Sequence, residues 1–161
     1  MVAWLSVREA DVDDPELLRL IAEHAAYCRS VTPDGSGHAV EAVAEVVYPD
    51  RDGQLFYWLG ALNGKTQGCI GLRMNDAETA EIKTMHVREA ARGTGLADHL
   101  LEFACDTAQA RGARRVVLEA GRGDGFAASR RFYEKSEFRP IPPFGPYVGD
   151  PFSFCMALEL K

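Results

Sequence analysis

The sequence lacks any apolar run long enough to cross a membrane, because its hydrophobic stretches are short and interrupted by charged residues. Its N-terminus also lacks the basic segment, apolar core and cleavage site of a secretory signal. We therefore expect a cytoplasmic protein without a membrane partner. Basic residues are outnumbered, 18 against 24 acidic residues, which gives a formal net charge of −6. This deficit argues against nucleic acid as a partner, since a nucleic-acid binder needs a basic field.

Cysteine is scarce, and its spacing is not that of a metal site. Cys28, Cys69, Cys105 and Cys155 lie far apart in apolar surroundings, and no Cys-x-x-Cys pair occurs. We predict buried, reduced thiols. His24 stands four residues before Cys28, but no carboxylate or further histidine lies in a matching pattern nearby, so we expect no metal.

The composition that remains is that of an ordinary globular protein, with 47% hydrophobic and 26% charged residues. A length of 161 residues fits one domain, 1–161, which can bury about 70% of its unfolded surface. The charge is uneven: residues 1–72 hold 5 basic and 11 acidic residues, whereas 73–161 hold 13 of each. An anionic ligand is therefore expected in the second part.

Hydrophobic periodicity predicts a mixed α/β fold with one sheet, in the order β-α-α-β-β-β-α-β-α-β-β. The predicted strands are Leu5–Arg8, Leu55–Leu62, Gly68–Met74, Glu78–Arg88, Arg115–Glu119, Phe138–Arg139 and Ser153–Leu160. The predicted helices run from Pro15 to about Cys28, over about His38–Val47, from Leu96 to about Ala110, and over about Phe126–Lys135. Asn63-Gly64 predicts a hairpin turn, and the strand–helix–strand unit around 78–119 predicts one parallel pairing.

The most informative local feature is Arg92-Gly93-Thr94-Gly95-Leu96-Ala97, which links a strand to a helix. Two glycines at a helix N-terminus let backbone N–H groups converge on a phosphate or pyrophosphate. Arg88 and Arg92 flank the loop and can add charge-assisted hydrogen bonds. A dinucleotide fingerprint would need glycine where Asp98 stands, and the phosphate-loop-like stretch Gly60–Thr66 is one residue short and fits a hairpin turn better.

Arg92-x-x-Gly95-x-Ala97 resembles the Gln/Arg-x-x-Gly-x-Gly/Ala signature of the GNAT superfamily of acetyl-CoA-dependent N-acetyltransferases. Ala80–Val87 is similar to the strand that precedes this loop in the family, and Ser129–Lys135 to a later helix that carries a tyrosine. The element order also fits, so the resemblance covers nearly the whole chain. The ending Pro142–Phe154 is similar to that of a bacterial subset whose substrates are mostly unassigned.

The resemblance implies acetyl-CoA as co-substrate, with the loop amides on its pyrophosphate and the strand backbone at Met85 and Val87 on its pantetheine arm. The implied cofactor-binding residues are Met85, His86, Val87, Arg92, Gly93, Thr94, Gly95, Leu96, Ala97, Ser129 and Arg130. Arg130 is expected near the adenine end. Arg111, Arg114 and Arg115 are alternatives for the 3′-phosphate, although solvation at a helix end explains them more simply.

Two departures from the family pattern stand out. Ala120-Gly121 occupies the place where many members have an asparagine, which puts one cofactor contact in question. Glu137 stands where members commonly have glycine, and we expect this to change only a turn.

Acetyl transfer to an amine needs a base for the amine proton and an acid for the departing thiolate. The resemblance implies Tyr133 as the acid and Glu81 as the base, with His86 and Glu119 as further base candidates. Strand alternation predicts that Glu81 and Lys83 share one face with Met85 and Val87, unless the strand bulges.

In this family the first two helices and the late loop, here residues 15–48 and 140–151, set the acceptor. Phe144, Pro146 and Tyr147 are expected to form an apolar wall, and the acidic N-terminal part to attract a cationic amine. We expect direct acetyl transfer to a primary amine of a small molecule, such as an amino acid or related metabolite. The alternatives are a protein or peptide N-acetyltransferase and a non-catalytic acyl-CoA-binding module. Dimers are common in the superfamily, so a homodimer is an expected assembly.

Overall fold

The computed structural model describes residues 2–33 and 53–161. The strands are β1 (Leu5–Ala10), β2 (Leu55–Leu62), β3 (Lys65–Met74), β4 (Thr79–Val87), β5 (Arg115–Gly121), β6 (Arg139–Ile141) and β7 (Ser153–Glu159). The helices are α1 (Pro15–Val31), α2 (Leu96–Ala110) and α3 (Ala127–Lys135). None of these three helices is long and apolar enough to span a lipid bilayer. The helix predicted over His38–Val47 lies outside the described residues.

The strands form one mixed sheet in the order β1-β2-β3-β4-β5-β7-β6. Only β4 and β5 pair in parallel, and every other neighbouring pair is antiparallel. The predicted mixed α/β fold and its single parallel pairing are confirmed. The hairpin at Asn63-Gly64 also forms, with φ angles of 52° and 81° that suit the two-residue turn between β2 and β3.

Helix α1 covers one face of the sheet. The Asp14 carboxylate caps the helix by accepting hydrogen bonds from the backbone N–H groups of Glu16 (2.9 Å) and Leu17 (3.4 Å), and Pro15 fits the first turn. Its buried residues meet the strands in a core made of Leu17, Leu20, Ile21, Tyr57, Leu59 and Cys69. Each fully buried leucine contributes about 2 kcal/mol, so this face fixes α1 against β2 and β3.

Helix α2 packs on the opposite face. Trp58 alternates with Tyr57 and Leu59 along β2, so its side chain joins the other core. That core includes Ile70, Leu72, Leu96, Leu100, Leu101 and Ala104. A Cβ atom at Gly60 would lie only 2.7 Å from Cδ1 of Leu96, so glycine at this position lets the first turn of α2 lie close to the sheet.

Strands β4 and β5 part halfway along their length. Their parallel pairing runs from Thr79 opposite Arg115 to Ile82 opposite Leu118. Beyond that point β4 stays paired with β3 as far as Val87, whereas β5 continues along β7. Beyond Ile82, β4 is no longer paired with β5, and the space that opens between the two strands forms a cleft.

A bulge in β4 changes which side chains face the cleft. Met85 pairs with Ile70 and Ile82 with Leu72, so three steps along β4 match two along β3. The side-chain ammonium of Lys83 and the carboxylate of Glu81 remain neighbours, 3.2 Å apart. Met85, however, packs against the core that contains Ile82. The expectation from simple alternation that Met85 and Val87 share a face with Glu81 and Lys83 is therefore wrong.

Glu137 ends helix α3 in a strained conformation. Its φ of 73° lies in the left-handed region that favours glycine. The backbone N–H of Phe138 donates to the carbonyl of Tyr133 (3.0 Å), and that of Glu137 to the carbonyl of Glu134 (3.0 Å). These two bonds close the helix as in a glycine-terminated helix. The glutamate thus keeps the turn that glycine would form, at a conformational cost.

We expect Glu137→Gly to stabilise the protein, because glycine adopts a positive φ without the steric cost of about 1 kcal/mol that a β-carbon brings. The melting temperature should rise by about 2–4 °C for a chain of this size. Ser136→Gly is the matched control, since Ser136 has a φ of −86° and gains nothing from glycine. A melting temperature of Glu137→Gly at or below that of wild type would contradict the prediction.

Candidate active site

The cleft contains an outer pocket of about 610 Å³ between the end of β4, the loop before α2 and helix α3. Its lining includes most of the residues that the sequence assigned to the cofactor: Met85, His86, Val87, Arg92, Gly93, Gly95, Leu96, Ala97 and Ser129. Thr94 and Arg130 are not in the lining.

The loop before α2 has the backbone conformation expected of a phosphate-binding turn. Gly93 and Gly95 have φ angles of 75° and 90°, and Gly95 is the N-cap of α2. Without a β-carbon at these positions, the first N–H groups of the helix remain accessible to an anion. Thr94 serves the loop itself, since its hydroxyl donates to the carbonyl of Ala91 and accepts from the N–H of Leu96 (3.4 Å).

Two arginines expected near the cofactor have other partners. The Arg130 guanidinium donates to the backbone carbonyls of Gly121 and Gly123 and holds the turn after β5. Arg88 binds the carboxylate of Glu23 on α1, with Nη2 2.9 Å from Oε1. This ion pair ties α1 to the end of β4.

The three arginines considered as alternatives for binding the 3′-phosphate contact other side chains of the protein. The Arg111 guanidinium stacks 3.9 Å from the ring centre of Phe56, and Arg114 pairs with Glu78 at 3.4 Å. Arg115 pairs with Glu159 at 3.4 Å. None of the three arginines lines the outer pocket.

Arg131 and Lys135 line the outer pocket instead, and sequence reasoning missed both. They stand four residues apart on α3 and so share one face of the helix. Phe132 and Ser136, which also line the pocket, extend the same stripe. The spacing was visible in the sequence, but no local pattern indicated which face of α3 lines the outer pocket.

An inner pocket of about 100 Å³ lies against the outer one. Both pockets are lined by His24, Met85, Phe126, Ser129 and Tyr133. Tyr133 therefore stands at the boundary between the two. Its ring is only 6% exposed and packs edge-on against Phe132 and Phe138, with ring centres 5.2 and 5.4 Å away. Burial raises the pKa of its phenol well above the usual value, so the hydroxyl keeps its proton throughout the physiological range.

Glu81 is buried in a hydrogen-bond network beside the inner pocket. Its carboxylate accepts from Asn75 Nδ2 at 2.9 Å, Lys83 Nζ at 3.2 Å and the Tyr147 hydroxyl at 3.1 Å. Lys83 and Tyr147 line the inner pocket, whereas Glu81 does not. The position of Glu81 suits a residue that orients others more than one that meets a substrate.

Glu119 lines the inner pocket at the point where β5 parts from β4. Burial raises the pKa of its carboxyl group to about 8, and the nearby charges of Asp150 and Glu81 act in the same direction. The neighbouring Ser153 hydroxyl and the positive charge of Lys83 oppose the shift. A group of this pKa exchanges protons readily near neutral pH, which is what a general base requires.

His24, His86 and Cys28 are uncharged near neutral pH. Burial lowers the pKa of His24 to about 4 and raises that of the Cys28 thiol to about 11, with 3.5 Å between Nε2 and Sγ. His86 contacts Glu23 at 3.3 Å, but burial lowers its pKa overall. Over 2–33 and 53–161, no cluster of three or more histidine, cysteine or acidic side chains could hold a metal ion.

Known proteins similar to this chain identify the family to which it belongs. The sequence profile of the acetyltransferase (GNAT) family matches residues 17–138. The chain belongs to the GNAT family. The N-acetyltransferase YsnE of Bacillus subtilis is 26% identical over 156 residues, which cover 97% of this chain and 100% of that protein. This GNAT protein is therefore an acetyltransferase.

Solved GNAT structures share the fold. An acyl-CoA N-acyltransferase from Klebsiella pneumoniae superposes with a TM-score of 0.80 at 21% identity, covering 98% of each chain. A GNAT acetyltransferase from Elizabethkingia anophelis, solved with acetyl-CoA bound, gives a TM-score of 0.67 at 18% identity over 97% of this chain and 98% of its own. The resemblance inferred from the loop and the element order is confirmed.

The outer pocket of this GNAT enzyme fits a strongly anionic acyl carrier. It combines a helix N-terminus, two glycines of positive φ and the cationic side chains of Arg92, Arg131 and Lys135. The bound ligand of the Elizabethkingia enzyme supports acetyl-CoA as the co-substrate of this family.

Proposed function

We propose that the protein transfers an acetyl group from acetyl-CoA to a primary amine of a small molecule by direct attack. The observation that carries the proposal is that Glu119 and Tyr133 line the same small pocket. The Glu119 carboxyl group can lose its proton near neutral pH, whereas the Tyr133 phenol keeps its proton. A pocket of about 100 Å³ favours a small acceptor over a protein segment, which would need an open groove.

Acetyl-CoA supplies an acetyl thioester when it is bound. The N–H groups at Gly93–Ala97 would hold its pyrophosphate, and the open edge of β4 from Met85 to Val87 would hold its pantetheine arm. The strand edge is suited to this because its peptide groups have no partner on β5 after Ile82. These contacts would bring the thioester to the boundary between the two pockets, beside Tyr133.

Glu119 would take the proton that the attacking amine releases, and Tyr133 would donate to the departing sulfur. With its pKa near 8, Glu119 is ionised in a useful fraction of molecules at neutral pH. The high pKa of Tyr133 keeps its proton available. Because that pKa lies far above the usual thiol value of about 8.5, we expect a hydrogen bond to the sulfur rather than complete proton transfer. Glu81, the base implied by the family resemblance, then acts as a positioning residue.

The function is tested by following coenzyme A release from acetyl-CoA with a panel of primary amines, and identifying the products by mass spectrometry. Acetylated small amines would support the proposal. Turnover restricted to peptides would favour a protein N-acetyltransferase. Tight acetyl-CoA binding without turnover of any acceptor would favour a non-catalytic acyl-CoA-binding module.

We expect Arg131 and Lys135 to bind the 3′-phosphate of acetyl-CoA, because both are cationic and line the outer pocket. Arg131→Gln and Lys135→Gln should each raise the KM for acetyl-CoA about 3- to 10-fold, as for a partly exposed charge-assisted contact. The measurement compares acetyl-CoA with its 3′-dephospho form. Wild type should prefer acetyl-CoA, and the double variant should treat the two donors alike. Equal loss with both donors would contradict the assignment.

A further inference from the structure

Lys83 is the lysine and Glu119 the carboxylic acid that line the inner pocket, counting the residues of 2–33 and 53–161. They are close enough for the charge of Lys83 to act on the ionisation of Glu119. His24, which also lines the pocket, is neutral near pH 7. The pocket therefore presents one ammonium group and one carboxyl group together.

Lys83 is held in this position by residues of the wall behind it. Its side chain is only 9% exposed, and Nζ lies 3.2 Å from Glu81 Oε2 and 3.4 Å from the Tyr147 hydroxyl. A buried ammonium group is stable only when it is paired, and Glu81 supplies that pairing without lining the pocket itself. The network thus keeps a charged lysine at the pocket surface.

A charged lysine at this place restricts the acceptor. A simple amine has no group that can pair with the Lys83 ammonium group. An acceptor with a carboxylate next to its amine adds an ion pair with Lys83, and such a pair is strong where water is excluded. A pocket of about 100 Å³ corresponds to about three water molecules, which is enough for the amine-and-carboxylate end of such an acceptor.

We propose that the acceptor is an amino acid, whose carboxylate binds the Lys83 ammonium group while its amino group lies at the Glu119 carboxyl group. This proposal rests on the proposed acetyl transfer and names its substrate class. In the reaction the nitrogen–acetyl bond forms and the thioester carbon–sulfur bond breaks. Glu119 accepts the amine proton, and the sulfur leaves as coenzyme A, which gains a proton from solvent with Tyr133 as hydrogen-bond donor.

The test uses acceptor pairs that differ only in the carboxylate: glycine and methylamine, L-alanine and ethylamine, L-phenylalanine and phenethylamine. Coenzyme A release is measured at saturating acetyl-CoA and at equal concentrations of the neutral amine. For at least one pair, we expect kcat/KM to be about 10- to 100-fold higher for the amino acid, as for loss of one charge-assisted contact. Equal or higher kcat/KM for the amines in every pair, or a preference for a diamine, would overturn the proposal.

Variants at Lys83 test whether this residue causes the preference for an amino acid over the matching amine. Lys83→Met should remove it, mainly through a higher KM for the amino acid, so that the ratio of kcat/KM within the pair approaches one. Lys83→Arg should restore part of the ratio because it keeps the charge, and Lys65→Met, which removes a lysine at the exposed hairpin, should leave the ratio unchanged. A ratio that survives in a folded Lys83→Met protein would overturn the role of Lys83.

The outcomes separate the two proposals. No turnover with any amine would overturn both the proposed function and the substrate class. Turnover of amines without preference for a carboxylate would leave the proposed function standing and overturn the inference alone. The melting temperature of each variant with and without acetyl-CoA shows whether the protein is folded and binds its co-substrate.

Discussion

Glu119→Gln is expected to lower kcat about 100- to 10,000-fold, the range for loss of a general base. The amide keeps the size of the side chain but cannot accept the amine proton. The KM for acetyl-CoA should change little, because Glu119 lines the inner pocket and not the outer one. Steady-state kinetics with the best acceptor of the amine panel measures both constants.

The pH dependence of the rate distinguishes Glu119 from Glu81. For wild type, kcat/KM calculated from the concentration of the neutral amine should rise with pH to a plateau above the Glu119 pKa of about 8, because only the ionised carboxylate accepts a proton. On the same scale, Glu119→Gln should lose this limb. Glu81→Gln is the matched control, and it should lower activity less and keep the limb. If Glu81→Gln loses the limb and Glu119→Gln keeps it, Glu81 is the base.

Glu119→Gln should also stabilise the folded protein at high pH. The folded-state pKa of Glu119, about 8, lies above its ordinary value of 4.5, so the folded protein retains a proton that the unfolded chain releases. Stability contributed by this group is therefore complete below pH 4.5 and is lost as the pH rises to about 8. Glu119→Gln escapes this loss, which has a slope of at most about 1.4 kcal/mol per pH unit. Its advantage in melting temperature should grow between these limits and then level off.

Gly95→Val is expected to raise the Kd for acetyl-CoA at least about 100-fold. A β-branched residue does not tolerate the φ of 90° at this N-cap, so the loop must change conformation and its N–H groups no longer converge. Loss of several charge-assisted bonds to a pyrophosphate accounts for this size of effect. Isothermal titration calorimetry with acetyl-CoA measures it.

Gly112→Val is the matched control for this prediction. Gly112 has a φ of 95° just after the other end of the same helix and is not part of the outer pocket. Both variants should lower the melting temperature by similar amounts, but only Gly95→Val should lose acetyl-CoA binding. Equal Kd values for the two variants would show that backbone strain, and not the loop's contact with the cofactor, explains the result.

Local patterns in the sequence predicted the features that are formed by residues close together along the chain. The glycine loop and the hairpin at Asn63-Gly64 each depend on residues within a few positions of one another. Most of the residues predicted to bind the cofactor line one pocket, because a strand, a tight loop and the following helix leave little freedom in where their side chains lie.

The features that local sequence patterns did not predict depend on contacts between residues far apart along the chain. Glu81 and Glu119 are both strand carboxylates, and their different surroundings depend on Tyr147 and Asp150, which come from the late loop. On α3, a rotation of one residue separates Arg130, which binds a turn, from Arg131, which lines the pocket. The face on which Met85 and Val87 lie also differs from the expected one, because pairing with β3 introduces a bulge into β4.

The parting of β4 and β5 has a thermodynamic consequence. Both strands are anchored on their outer sides, β4 to β3 and β5 to β7, so the gap between them is a fixed part of the sheet. A ligand that binds along this edge finds its hydrogen-bond partners already ordered and loses less conformational entropy than one that must order a loop. We therefore expect the strand-lined part of the cleft to contribute to affinity mainly through preorganisation.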